Sequence, residues 1–158
     1  MAIKISVLGA SGRMGQLALS LIEQNSDLEL HSALSSHNSP AEAIGADLLV
    51  DLTKPDASVA IVDFAIQNNL KILVGTSGWS KEKLDALRDK MVGSRATVVV
   101  VPNFSIGSVL ATKFAAEAAK YFDSIEITET HHTKKLDAPS GTALFTAQEI
   151  SRVRNGRS

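Results

Sequence analysis

The chain has 158 residues, 44% of them hydrophobic, with 16 basic against 17 acidic side chains and a formal net charge of −1. That length makes one domain, or one domain and part of another, with ample apolar content for a core; the near-zero charge argues against a general nucleic-acid or anionic-membrane binder. No cysteine is present, Met1-Ala2-Ile3-Lys4-Ile5 opens without a long apolar signal region, and no apolar run nears the ~18 residues that span a bilayer, so a disulfide scaffold is excluded and a soluble, cytoplasmic protein is expected.

Ile3–Leu8 reads as a short strand of the kind buried in a parallel sheet. Gly9-Ala10-Ser11-Gly12-Arg13-Met14-Gly15 follows, and behind it Leu17, Ala18, Leu21 and Ile22 repeat at helical spacing. Strand, glycine turn and helix form the context a dinucleotide fingerprint requires. Gly9 allows the tight turn, Gly12 the approach of a pyrophosphate and Gly15 close packing of helix on strand. The spacing is Gly-x-x-Gly-x-x-Gly, and Arg13 is placed to reach a phosphate. The plain alternative is a tight turn that holds no ligand.

Leu28–Leu34 is the second strand. A site preferring NAD puts Asp or Glu at its end, on the ribose 2′-hydroxyl; here Ser35-Ser36-His37 stands there, with neither a carboxylate to repel a 2′-phosphate nor an arginine to select it. Dual or undecided use of NADH and NADPH is expected. Ser39–Ala46 is a connection with room for one helical turn after Pro40. Leu48–Leu52 is the third strand. Val59, Val62, Ala65 and Ile66 then line one face of a helix over Ala57–Asn68. Ile72–Val74 is the fourth strand, and Gly75-Thr76-Ser77-Gly78 beyond it is a second candidate contact for the dinucleotide, since ligands of doubly wound sheets sit past the carboxyl ends of the strands. Ser80 is placed to cap a helix running to about Met91, and Thr97–Val101 is the fifth strand. Strands alternating with helices predict an α/β, Rossmann-type doubly wound parallel sheet through residue 103.

A helical segment from Ile106 to Tyr121 carries Val109, Leu110, Phe114, Ala115 and Ala118, a stripe expected to be plain core. Ile125–Thr130 alternates like a strand. Beyond it, His131, His132, Lys134, Lys135 and Asp137 are packed together, and Pro139-Ser140-Gly141-Thr142 opens a helix over Ala143–Val153. Imidazoles beside lysines handle protons near neutral pH, and the free N–H groups of a helix start suit a carboxylate or phosphate. The residues therefore describe a site for an anionic small molecule that gains or loses a proton. A polar solvated loop is the plain alternative. Zinc on His131, His132 and Asp137 matches no standard spacing, and Ser140 lacks the elbow of a nucleophile. No metal is expected.

Five stretches together carry a resemblance: Gly9–Gly15, Asp51-Leu52-Thr53-Lys54-Pro55, Gly75–Gly78, Pro102-Asn103-Phe104-Ser105-Ile106-Gly107, and Glu129-Thr130-His131-His132-Thr133-Lys134-Lys135-Leu136-Asp137-Ala138-Pro139-Ser140-Gly141-Thr142-Ala143. In this order they resemble the 4-hydroxy-tetrahydrodipicolinate reductase (dihydrodipicolinate reductase) family of lysine and diaminopimelate biosynthesis, and the last stretch is the most specific. The resemblance implies a dinucleotide-binding domain over 1–103 and, over 104–158, the N-terminal portion of a smaller α+β substrate-binding and tetramerisation domain. It implies that Gly9, Ala10, Ser11, Gly12, Arg13, Met14, Gly75, Thr76, Ser77, Val101, Pro102, Asn103 and Phe104 contact NADH or NADPH, with Ser35 at the ribose. It makes His131 the main acid/base residue and Lys135 a proton donor, with His132, Gly141 and Thr142 on the carboxylates of a small dicarboxylate substrate. Family chains are much longer and form homotetramers; the further part would hold most of the second domain's sheet, so an unpaired strand and an apolar helix face are expected here. Ser77 replaces a usual threonine and Ser35 a usual acidic residue. The competing reading is a non-catalytic module that holds NAD(P) without turnover. A short-chain dehydrogenase is excluded, because the lone Tyr121 has Ile125 where that chemistry needs a lysine.

Overall fold

The computed structural model describes residues 1–101, 103–131, 133 and 138–154. The chain divides into two compact units, Met1–Pro102 and Asn103–Ser158.

The first unit is a five-stranded parallel sheet in the order β2-β1-β3-β4-β5, built from β1 (Ile3–Leu8), β2 (Leu28–Leu34), β3 (Leu48–Asp51), β4 (Lys71–Val74) and β5 (Thr97–Val100). Between them run α1 (Arg13–Glu23), a 3-10 turn at Pro40–Ala43, α2 (Pro55–Gln67) and α3 (Lys81–Met91). The expected doubly wound sheet is therefore present. Side chains alternate across it. Ile5 and Val7 of β1 pack with Ala10 and Ile22, partly buried Val50 joining them from β3, while Leu8 and Leu49 join the larger cluster on the other face with Val62, Ala65, Ile72, Val74 and Leu87. Covering both faces is what makes an all-parallel sheet stable. Strand order reverses direction between β1 and β3, which is the topological switch point where such sheets open a crevice.

Two helix faces differ from expectation. In α1, Leu17 and Leu21 are exposed, whereas Gly15 and Ile22 are buried and Ala18 and Leu19 half-buried. The contact face follows the close approach at Gly15, so it runs 15, 18, 19, 22, and the apolar count alone points one position off. In α2, Ser58 and Ile61 join Val62 and Ala65 in the interior, with Val59 and Ile66 at its margin.

The second unit holds α4 (Ile106–Ala118), a 3-10 turn at Ala119–Tyr121 and α5 (Gly141–Val153). Thr112 of α4 and Thr146 of α5 share a 2.8 Å hydroxyl hydrogen bond. The strand expected over 125–130 belongs to no ladder, because no other segment of this unit offers it an edge among the described residues, and all six of its residues are exposed. The stripe on α4 expected to be core is largely solvent-facing: Val109, Leu110, Phe114 and Ala118 are exposed, Ala115 is half-buried, and the buried residues are Thr112 and Ala116. A helix buries a stripe only where a second element covers it, and α5 covers a different one. No helix among the described residues is long and apolar enough to cross a membrane.

Candidate functional site

Within the first unit, the glycine turn sits at the switch point. Gly9 has φ +84°, and a Cβ on it would lie 2.5 Å from the Leu52 carbonyl oxygen, so only glycine fits. Its N–H and that of Ala10 both donate to the Leu34 carbonyl, at 2.9 and 3.0 Å, which fastens the turn to the end of β2. A Cβ on Gly15 would come within 2.2 Å of the Gly9 oxygen. At Gly12 it would meet only that oxygen, at 3.3 Å. Gln16 Nε2 donates to the Ala10 carbonyl at 2.7 Å and closes the loop from behind. Gly12 is the N-cap of α1 and offers no side-chain cap, whereas α3, α4 and α5 are capped by the hydroxyls of Ser80, Ser105 and Ser140. Ser11, Gly12, Arg13 and Met14 are exposed around this helix start. A bare cradle at a helix N-terminus fits the pyrophosphate of a dinucleotide.

Next to it, Asp51 is fully buried at the end of β3. Its carboxylate accepts from the Thr53 N–H at 3.0 Å, Thr53 Oγ1 at 2.6 Å, Thr76 Oγ1 at 3.1 Å and Ser58 Oγ. Ser58 Oγ in turn accepts from the Trp79 indole N–H at 3.2 Å. Neutral donors thus satisfy a buried acid, as buried polar groups require. Gly75 N–H donates to the Asp51 carbonyl at 2.9 Å, so Gly75 and Thr76 are held beyond β3 and β4 with Ser77 exposed. Val101 follows β5, its N–H on the Val74 carbonyl at 2.8 Å.

At the end of β2, both the N–H and the hydroxyl of Ser35 donate to Asn38 Oδ1, at 3.0 and 2.9 Å. Asn38 Nδ2 faces the Glu42 carboxylate at 3.3 Å, which also accepts the Ser39 N–H at 2.9 Å in a capping box. Ser35-Ser36-His37 hold no carboxylate, as expected, but the β2 end is linked through Asn38 to one. It comes from the next turn of the chain rather than from the strand terminus.

In the second unit, Asn103 Oδ1 accepts the Ser105 N–H at 2.8 Å and its Nδ2 donates to Ser108 Oγ at 2.7 Å, bracing the start of α4 beside exposed Phe104. At the start of α5, Ser140 Oγ accepts the Ala143 N–H at 3.1 Å. Glu129 joins this cap. Its Oε1 accepts the Ser140 N–H at 2.7 Å, its Oε2 accepts the Ser140 hydroxyl, and His131 Nε2 lies 2.7 Å from Oε2. The His131 hydrogen bond, then the Ser140 hydroxyl and amide, pull the Glu129 carboxyl down to about 2. Glu129 thus ties the imidazole to the helix start and takes one of its free N–H groups. Gly141 and Thr142 are exposed, with open space over Gly141. Of the expected residues, His131, Gly141 and Thr142 fall together here; Pro102, His132 and Lys135 lie outside the described residues, as does Asp137. No three ligating side chains gather among the described residues.

Sequence reasoning gave no role to Glu129, Asp51 or Glu42. For Glu129 a signal existed: two residues before His131 in an extended chain, it shares that residue's face. For Glu42, the Ser-x-x-Glu box was legible; its proximity to Ser35 was not.

Comparison with known proteins extends this picture. The family model described as dihydrodipicolinate reductase, N-terminus, matches residues 3–104, and its C-terminus counterpart matches residues 107–158. A 4-hydroxy-tetrahydrodipicolinate reductase of Clavibacter michiganensis subsp. michiganensis is 45% identical over 99% of this chain and 57% of its own length. That of Corynebacterium urealyticum is 44% identical over 96% of this chain and 62% of its own. The chain thus spans about three fifths of the length of these curated relatives. Among solved structures, a dipicolinate-bound dihydrodipicolinate reductase from Paenisporosarcina sp. TG-14 superposes with a TM-score of 0.75 at 34% identity, covering 98% of this chain and 67% of that one. A myo-inositol dehydrogenase from Corynebacterium glutamicum, at 19% identity and a TM-score of 0.55 over 75% of this chain and 42% of that one, shares the fold.

Proposed function

This chain belongs to the dihydrodipicolinate reductase family, and from that premise we propose that it carries the cofactor site and the acid/base centre of a cytoplasmic reductase. The enzyme transfers a hydride from NADH or NADPH to 4-hydroxy-tetrahydrodipicolinate, giving tetrahydrodipicolinate and water in lysine and diaminopimelate biosynthesis. The observation that carries this reading is that both family matches run in order along one chain, from the glycine turn through the His131 loop to α5.

The first unit serves as dinucleotide-binding domain and the second as the N-terminal portion of the substrate-binding domain, the complete protein being a homotetramer. The dinucleotide supplies the hydride. The chain's residues do the rest. Gly9–Met14 receive the pyrophosphate, with Ser35 near the ribose and Gly75, Thr76, Ser77, Val101, Pro102, Asn103 and Phe104 along the rest of the dinucleotide. His132, Gly141 and Thr142 take the substrate carboxylates at the start of α5. His131 and Lys135 manage protons, so that a hydride and a proton enter while the hydroxyl group leaves as water. Fixing both carboxylates of the substrate at the start of α5 removes part of the entropic barrier.

The test follows oxidation of NADH and NADPH by the chain, with substrate generated in place by the preceding enzyme of the pathway. Turnover that depends on that substrate is the expected result. Dinucleotide binding without turnover would leave the non-catalytic module standing in its place.

A further inference from the structure

The end of β2 bears on which dinucleotide is used. In a doubly wound sheet the adenosine ribose lies beside the glycine turn, at the end of the second strand, and here the Leu34 carbonyl physically joins those two places. Among the groups at that point, beside exposed Ser36 and His37, are the acceptors Asn38 Oδ1 and the Glu42 carboxylate. The Ser35 N–H and hydroxyl, two of the donors an incoming phosphate would use beside exposed Ser36 and His37, are both already spent on Asn38 Oδ1. Ser35 Oγ also accepts the His37 N–H at 3.3 Å. Behind Asn38 sits the Glu42 carboxylate, fixed by its amide and by the Ser39 N–H. No lysine or arginine occurs between Arg13 and Lys54, and the basic side chains within that stretch are His31, its Nε2 3.2 Å from the Ile44 carbonyl oxygen, and His37.

We infer that the Ser35–Asn38–Glu42 chain is a specificity device that favours NADH over NADPH, with Glu42 as its discriminating charge. A ribose 2′-hydroxyl can donate to Asn38 Oδ1 or Ser35 Oγ. A 2′-phosphate has only acceptors to offer, meets acceptors already in place, and is repelled by Glu42. The acidic residue that NAD-preferring sites put on the strand end is here supplied by the following 3-10 turn, seven positions later. The inference deepens the cofactor assignment proposed above and rests on it.

The experiment titrates the 158-residue chain with NADH and with NADPH by nicotinamide fluorescence, at low and at high salt. Binding of NADH about threefold to tenfold tighter is expected at low salt, which is what one or two like charges several ångströms apart in a water-like medium produce, and the gap narrows as salt screens them. Glu42→Gln keeps the capping box, since glutamine serves in it as glutamate does, and should bring the two affinities within about twofold. Glu42→Lys should reverse the order. Asn38→Ala, which frees both donors of Ser35, should also improve NADPH binding. Equal ratios in all variants, with both dinucleotides still bound and the melting curves intact, would overturn the inference and leave the cofactor site standing; so would tighter binding of NADPH by the unsubstituted chain. Loss of binding for both dinucleotides in the unsubstituted chain would sink the cofactor site itself.

Discussion

Glu129 links a proton-handling side chain to a helix cap, and its acidity gives a measurable signature. The carboxyl sits at about 2 in the folded chain, against an ordinary value of 4.5. A group whose folded pKa is depressed binds protons more readily when unfolded, so stability rises with pH across the window between the two values. The contribution is complete above about pH 5 and is lost as pH falls from about 4.5 toward 2. Glu129→Gln should therefore lower the helical melting temperature of the second unit at pH 7, and the difference from the unsubstituted chain should vanish near pH 2. A difference that persists undiminished at pH 2 would mean the carboxylate is not the stabilising form. At His131, Gln keeps a donor for Glu129 but cannot carry a proton. His131→Gln should accordingly cut turnover at least about a hundredfold while dinucleotide affinity moves by less than about twofold; equal losses in both would remove His131 from the chemistry. His131 could be named as an acid/base candidate at this scale from its pairing with neighbouring lysines, beside the plain reading of a polar loop. Its carboxylate partner was signalled only by the two-residue spacing that puts Glu129 on His131's face of an extended chain; its bonds to Ser140, eleven residues on, had no local sign.

The glycine turn makes a sharper contrast at the scale of elements. Three glycines at equal spacing look alike in the sequence, yet their surroundings differ. A methyl group at Gly15 would overlap the Gly9 oxygen at 2.2 Å and the Ala10 Cα at 2.7 Å, so α1 would have to move off the turn. At Gly12 the nearest atom is 3.3 Å away and the residue faces solvent. Gly15→Ala should therefore destabilise the first unit by about 1–3 kcal/mol, read as an earlier urea midpoint. Gly12→Ala should leave that midpoint nearly unchanged and weaken dinucleotide binding instead. If both substitutions behave alike, the division of labour between packing and ligand approach is wrong. The same close approach explains why the α1 face was misread: glycine carries no hydrophobic signal, and Gly15 is what decides which residues turn inward. Strand β2, by contrast, spans Leu28–Leu34 as expected, since its alternation and flanking polar turns are local properties.

At the scale of the whole molecule, the two units bury very different amounts of apolar surface. The first unit has clusters on both faces of its sheet. In the second, the buried residues among those described are Thr112, Ala116, Ala119, Ser140 and Ile150, of which Ile150 alone is a large apolar side chain. Ile106, Phe114, Tyr121 and Phe122 are each more than 60% exposed, and the segment 125–130 joins no strand ladder among the described residues. A parallel sheet is legible because each strand announces its neighbours through the helices between them; the second unit is not, because a strand and a helix face are defined by what covers them. Apolar burial is the main term that offsets chain entropy, so the second unit should unfold first. The chain carries its own probes for this: its single tryptophan, Trp79, is half-buried against Ser58 in the first unit, and its single tyrosine, Tyr121, is in the second. In urea at low protein concentration, helical circular dichroism and tyrosine signals from α4 and α5 should fall at a lower midpoint than the Trp79 emission. Coincident transitions would show that the second unit is held to the stability of the sheet, and that its exposed apolar residues do not set its resistance to unfolding.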